Sequence, residues 1–371
     1  MRGRSFAALA LSVSLTGCGG IPRAELAREE VSIGVLANFT HPDAQTTAML
    51  NGVRMAINEY NHEPTSRYLV NLRRFDTKGS PEGAGTAATR ASNLEKSIGV
   101  VGPIKTDEIR AAGAVMAAKS VPMIVGNSEE GLLDPSWTNV RRLVASDVQV
   151  GRAAGNLVVS RSPLGVASFH DGSESAVNFL SGVHAALAEA KHPLIRTEQV
   201  AKIDEGFVKK LISQKPGSVV FAGGRSAAID FFKTVRRYGS SATIFVGTDL
   251  MDRSPEGFER VVVVVPYVPP PDGSVSQPAR RFRSAFGADL PSMAVEYYEA
   301  GLMLTEAVDE AGTSSGAVMA FLRAQTEFLG DSKRYRYDEH GSLRDAPTWS
   351  AHSDGRTWLS DGVIGNAPPK R

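Results

Sequence analysis

The chain has 371 residues, 42% of them hydrophobic and 22% charged, which is enough apolar material for two compact lobes and excludes a disordered or fibrous chain. Its 41 basic and 40 acidic residues leave a net charge of +1 with no basic block or stripe, which argues against a nucleic-acid partner. A single cysteine, Cys18, rules out a disulfide within the chain, so the lobes must stand on their own cores.

At the N-terminus, Arg2 and Arg4 precede a small and apolar run, Ser5 to Leu15, too short to remain in a bilayer as a spanning helix. Charge, short apolar core and small residues make a secretory signal. Leu15-Thr16-Gly17-Cys18 resembles the lipobox of bacterial lipoproteins. That resemblance implies cleavage before Cys18 and lipid on its sulfur and new amine; an ordinary signal with an incidental cysteine is the alternative. Residues 1–17 are then signal peptide and 18–29 a tether. About 350 residues remain, anchored outside the cytoplasm by acyl chains rather than threaded through a membrane. No later run approaches a transmembrane span; Val261 to Val265 is only five valines.

Beyond the tether, strands and helices alternate. Val31–Leu36 is a strand, and Gln45–Tyr60 places Met49, Val53, Ala56 and Tyr60 on one helical face. Tyr68–Phe75 alternates like a strand; Glu82–Leu94 is a helix opened by Pro81. Ile98–Val101 is a strand, Asp107–Ala118 a helix and Met123–Val125 a strand. The series restarts with helix Val150–Val159, strand Gly165–Phe169, helix Glu174–Ala190, strand Ile195–Val200 and helix Phe207–Ser213. Strand Ser218–Phe221, helix Ala227–Tyr238 and strands Thr243–Val246 and Val261–Val265 complete it. This is α/β: two doubly wound units, each a parallel sheet covered on both faces. The proline-rich Val265–Gly273 suits a crossing segment. Helices Ser276–Phe286 and Met293–Glu310 have no strand between them and should pack back on the first unit, with short strands near Tyr335–Tyr337 and Thr348–Ala351 to close.

Six segments, in this order and spacing, resemble the periplasmic binding proteins of the Leu/Ile/Val-binding type, the type I solute receptors of ABC importers. They are LNGVRMAINEYN (50–61), RFDTKGSPEGA (74–84), GVVGPIKTDEI (99–109), SVPMIVGNSEE (120–130), VVFAGGRSAA (219–228) and FVGTD (245–249). RYDEHGSL (336–343) adds the family's aromatic-Asp-Glu-x-Gly turn. The resemblance implies two lobes joined by a three-strand hinge, divided as 30–146 with 267–345 and 147–266 with 346–363, and a tail at 364–371. A ligand clamped in the cleft shifts an open–closed equilibrium that a membrane permease reads.

Carried over residue by residue, the resemblance makes Thr106 the position whose hydroxyl and amide hold a ligand carboxylate, although Thr106 also suits the N-cap of the helix that follows. Asn127 matches a backbone-carbonyl position for an ammonium. Glu129 stands where the family has a hydroxyl; it could pair an amine more strongly than a hydroxyl, Glu129-Glu130 as a solvated loop pair is the alternative, and a slip of one residue would make Ser128 the contact. Asp249 matches the acid that neutralises the ammonium, since a desolvated ammonium needs a paired charge. Ser175, Arg225 and Gln45 replace aromatic residues of the family, so the pocket should be more polar than one for leucine. Arg225 opens a helix and would suit a carboxylate or phosphate; a surface role is the alternative.

Enzyme readings fare poorly. Gly224-Arg225-Ser226-Ala227-Ala228 lacks the final glycine of a nucleophile elbow. Gly83-Ala84-Gly85-Thr86-Ala87-Ala88 mimics a dinucleotide fingerprint but follows a loop. The seven histidines show no metal-ligand spacing, so neither metal nor cofactor is expected. The expected function is capture of a small polar ligand, an amino acid or similar compound, for an ABC importer. The alternative is a ligand-sensing ectodomain signalling through a membrane partner.

Overall fold

The computed structural model describes residues 28–364 except 163, 201, 252 and 270–276; Cys18, the expected signal and tether up to residue 27, and much of the proline-rich 265–273 stretch lie outside the described residues. The first sheet has the order β2-β1-β3-β4-β5, all parallel, from Tyr68–Asp76, Glu29–Ala37, Ser97–Val101, Met123–Val125 and Val140–Arg142. Its strands are nearly continuous apolar runs because both faces are covered. Helices α2 (Pro81–Ser92) and α3 (Thr106–Ala118) cover one face, while α1 (Ala44–His62) and α9 (Ala294–Ala311) pack together on the other. Met49, Val53 and Ala56 of α1 are fully buried and Tyr60 half-buried, as the helical spacing predicts.

The second sheet runs β14-β13-β10-β9-β8-β6-β7. Five of its strands are parallel: β6 (Val166–His170), β7 (Leu194–Gln199), β8 (Ser218–Ala222), β9 (Thr243–Val246) and β10 (Val261–Val265). The hairpin β13 (Thr348–Ser353) and β14 (Trp358–Ile364) adds antiparallel to β10. Helices α4 (Asp147–Arg161) and α5 (Glu174–Glu189) cover one face; α6 (Glu205–Ser213) and α7 (Arg225–Arg237) cover the other through stacked Phe221 and Phe231. Three segments link the sheets: between β5 and α4, between β10 and α8 (Gln277–Phe286), and between β12 (Arg334–Arg336) and β13.

Sequence reading missed β5, α10 (Ser315–Ala324), β11 (Glu327–Leu329) and β14. The sequence of β5, Val-Arg-Arg, reads as a loop, yet all three residues are buried. Arg141 lies 4.2 Å over the Tyr337 ring and donates to the Gln325 carbonyl; Arg142 donates to the carbonyls of Ser128 and Glu129. Partners distant in sequence make those charges tolerable inside, and no local pattern reveals them.

Candidate functional site

Parallel strands deliver their C-terminal ends, and the helix starts that follow, to one edge of a sheet. In the second lobe the register pairs Phe221 with Val246, so β8 and β9 end level and Gly223-Gly224 lies beside Gly247-Thr248. The Thr248 hydroxyl donates to the Gly223 carbonyl and ties the two ends together. Opposite them, α4 and α5 approach at backbone distance. A Cβ on Gly151 would stand 1.8 Å from the Phe179 carbonyl oxygen, and one on Gly182 would stand 2.1 Å from that of Val148. Glycine at both positions therefore brings the first turn of α4, with Asp147 and Val150, against Ser175 and Phe179 of α5.

Between these walls lies a cavity of about 310 Å³. Val150, Phe179 and Pro266 supply apolar surface, Gly223-Gly224 and Gly247 bare backbone, and Ser128 comes from the loop after β4 of the first lobe. The lobes are stitched here: the Asp147 N–H donates to the Ser128 carbonyl at 2.7 Å.

Asp147 dominates the electrostatics. It is 7% exposed and borders the cavity, where the Ser128 and Ser175 side chains bond to its carboxylate. Burial pushes its pKa up to about 6, while the Ser128 and Ser175 side chains and the positive charge of Arg142 pull it back down. Its place in the first turn of α4, after the Ser146–Gln149 capping box, favours a negative charge. Asp171 lies under the other edge. Its carboxylate accepts from the Gly224 N–H at 2.7 Å, the Ser173 N–H at 3.0 Å and the Ser173 hydroxyl at 2.7 Å. Burial pushes the Asp171 pKa up, but these donors together hold it below the usual carboxylate range.

The predicted residues fall into three groups. Ser128 and Ser175 border the cavity. Thr106, Asn127 and Glu129 are brought together beside it, at the ends of β3 and β4. The Thr106 hydroxyl donates to Glu129 Oε2 at 2.5 Å, Arg110 reaches Oε1 at 3.2 Å, and the Asn127 amide donates to the Ile104 carbonyl and to Thr106. Thr106 is not a cap: Lys105 holds the N-cap position of α3, no side chain caps that helix, and the Thr106 hydroxyl is taken up by Glu129 instead. Asp249, Arg225 and Gln45 are not among the residues bordering the cavity. Asp249 accepts from the Met251 N–H and from the Ser292 hydroxyl at 3.0 Å, and the Tyr267 hydroxyl also reaches it. Arg225 is half-buried and partnered at the start of α7, and Gln45 is exposed in the first turn of α1. Asp147 was missed because an aspartate after Ser146 reads as ordinary helix-start chemistry; only the approach of α5 and the first-lobe loop encloses it.

The periplasmic binding protein family model matches residues 30–344. The chain belongs to that family. As a periplasmic binding protein it is a binding protein that works outside the cytoplasm, not an enzyme. Among the described residues no helix is long and apolar enough to cross a membrane. Solved structures share the fold at low identity. An ABC transporter substrate-binding protein from Desulfitobacterium hafniense in complex with Leu is 16% identical, with a TM-score of 0.78 over 90% of this chain and 100% of that one. LivJ, the branched-chain amino acid transporter substrate-binding protein of Streptococcus pneumoniae, in complex with isoleucine, is 17% identical (TM-score 0.72, 92% and 100% covered). A solute-binding protein from R. palustris in complex with benzoate is also 17% identical (TM-score 0.67, 92% and 98% covered). No curated protein matches the sequence.

Proposed function

We propose that this periplasmic binding protein captures a small polar ligand in the cleft between its lobes, tethered to the membrane by lipid on Cys18, and hands it to an ABC importer. The cavity carries this reading: it lies at the C-terminal ends of β8, β9 and β10, borders Ser128 of the opposite lobe, and is lined in part by the buried Asp147. Its size suits a ligand of amino-acid dimensions, and the structural relatives bound to leucine, isoleucine and benzoate take ligands of that scale. We divide the lobes as 30–146 with 267–345 and 147–266 with 346–363, so that the linking segments act as the hinge. Ser128, Ser175 and Asp147 contact ligand from the cavity wall. Thr106, Asn127 and Glu129 form the adjoining wall of the first lobe, and Asp249, Arg225 and Gln45 approach only as the lobes move.

The test is a thermal-shift screen of the full chain against amino acids, dipeptides, polyamines, purines and small carboxylates. A ligand at a hundredfold over its Kd adds about 2.7 kcal/mol to the folded state. Silence across the screen would sink the receptor reading. Anchoring is tested separately: fatty-acid label should appear on the wild type and vanish in Cys18→Ser.

A further inference from the structure

The second sheet ends on β7, whose sequence is Leu194-Ile195-Arg196-Thr197-Glu198-Gln199. Among the described residues β6 is its only partner in the sheet, and every β7 residue except Arg196 is exposed. Such an edge carries a row of N–H and C=O groups that can pair with another strand, and proteins usually blunt it with lysine, proline or a bulge. β7 contains neither lysine nor proline. Its register with β6 slips once, leaving Ile195 as an extra residue, and is regular from Arg196 to Gln199.

The ladder with β6 fixes which groups face outward. The Val200 N–H donates to the His170 carbonyl, so Val200 turns its backbone toward β6. Backbone direction alternates along a strand, so Glu198 and Arg196 also face β6, while Thr197 and Gln199 turn their N–H and C=O outward. The Arg196 and Glu198 side chains share one face and pair with each other, with Arg196 over the Phe169 and Phe207 rings.

An antiparallel copy of the same strand, related by a two-fold axis, must place one residue opposite itself. Centred on Arg196 or Glu198, the pair sets like charges face to face, which is destabilising. Centred on Gln199, it sets Arg196 against Lys202, beyond the end of β7; centred on Ile195, it falls on the bulge. Centred on Thr197, the outward groups of Thr197 bond to those of the same residue in the other copy, and Arg196 faces Glu198 on either side of the axis. Leu194 and Ile195, 40% and 38% exposed, then come alongside Gln199 and Val200 of the other copy.

We propose that two copies of this chain associate through β7, antiparallel and centred on Thr197, joining two seven-stranded sheets into one. The ladder is short, so the dimer forms by mass action at high concentration, as a small interface does. No β7 residue borders the cavity, so the association stands apart from ligand binding.

The test is sedimentation velocity of the full chain over a hundredfold concentration range, with thiol cross-linking. All forms carry Cys18→Ser, which removes the expected lipid and the only native thiol. The parent should shift from monomer to dimer as concentration rises. Thr197→Pro removes an outward N–H that β6 does not use, and Glu198→Lys sets a lysine opposite Arg196. Each should weaken dimerisation at least tenfold while the melting temperature stays within a few degrees. Thr197→Cys should trap a disulfide dimer on mild oxidation, because residues facing each other in such a ladder have Cα atoms about 5.5 Å apart. Gln199→Cys should trap at least fivefold less, since the two copies of that residue stand about 13 Å apart along the strands. A chain that stays monomeric at every concentration overturns the proposal. So does a dimer that Thr197→Pro and Glu198→Lys leave intact, or equal trapping by Thr197→Cys and Gln199→Cys.

Discussion

Acidification should weaken ligand binding through Asp147 alone, by an amount the structure sets. The free carboxyl titrates at about 6, because burial raises it against the pull of Ser128, Ser175 and Arg142. A cationic ligand group paired with the Asp147 carboxylate binds only its ionised form. The ionised fraction falls from about 97% at pH 7.5 to about 9% at pH 5, so affinity should drop roughly tenfold, or about 1.4 kcal/mol. The same shift acts on the empty protein with the opposite sense. Because the folded pKa lies above the ordinary value of 3.8, the unliganded fold is favoured when Asp147 is protonated, and that advantage is lost as pH rises from about 4 through 6. Asp147→Asn should therefore stabilise the empty protein at pH 7.5 by up to about 3 kcal/mol while weakening the ligand. Calorimetry at pH 5, 6 and 7.5, with denaturant unfolding of both forms, reads both effects. Glu129 and Arg142 also face this carboxylate, so the decisive comparison is the variant. A tenfold pH dependence that survives in Asp147→Asn would refute the assignment.

Three further outcomes are expected. Gly151→Ala would drive a Cβ into the Phe179 carbonyl oxygen, forcing α4 from α5; it should cost about 1–3 kcal/mol in chemical denaturation and weaken ligand, whereas unchanged stability would deny the close approach. Glu299 of α9 is fully buried, accepts from Ser332 and Tyr335, and burial pushes its pKa up to about 7 against the opposing charge of Lys333. Its ionisation should cost the fold about 3 kcal/mol as pH rises from 4.5 through 7, so Glu299→Gln should flatten the decline in stability between pH 4.5 and 7. Asp249→Asn should lower ligand affinity less than Asp147→Asn does, since the Asp249 carboxylate already serves Ser292 and Met251; a larger effect would restore Asp249 as the main ammonium partner.

Periodicity alone identified the two α/β units, most of their elements and the return of α9 to the first lobe, because apolar spacing is a local property and these sheets are buried on both faces. It failed where burial depends on distant partners: the arginines of β5 read as polar loop, and Tyr337 and the Ser128 loop bring them inside. The order of motifs likewise pointed to the periplasmic binding protein family and to strand ends that border a cavity. Which carboxylate borders the cavity is a different kind of fact. Glu129, Asp147, Asp171 and Asp249 are equivalent as letters, each beside a helix start or turn that an acid suits. Only the tertiary structure shows that Thr106 and Arg110 satisfy Glu129, that Ser173 and Gly224 satisfy Asp171, and that Ser292 satisfies Asp249. Asp147 alone of these four borders the cavity, because Gly151 and Gly182 let two helices close beside it. Hydrogen-bond satisfaction is decided by residues far apart in the chain, so it enters only with the packed structure.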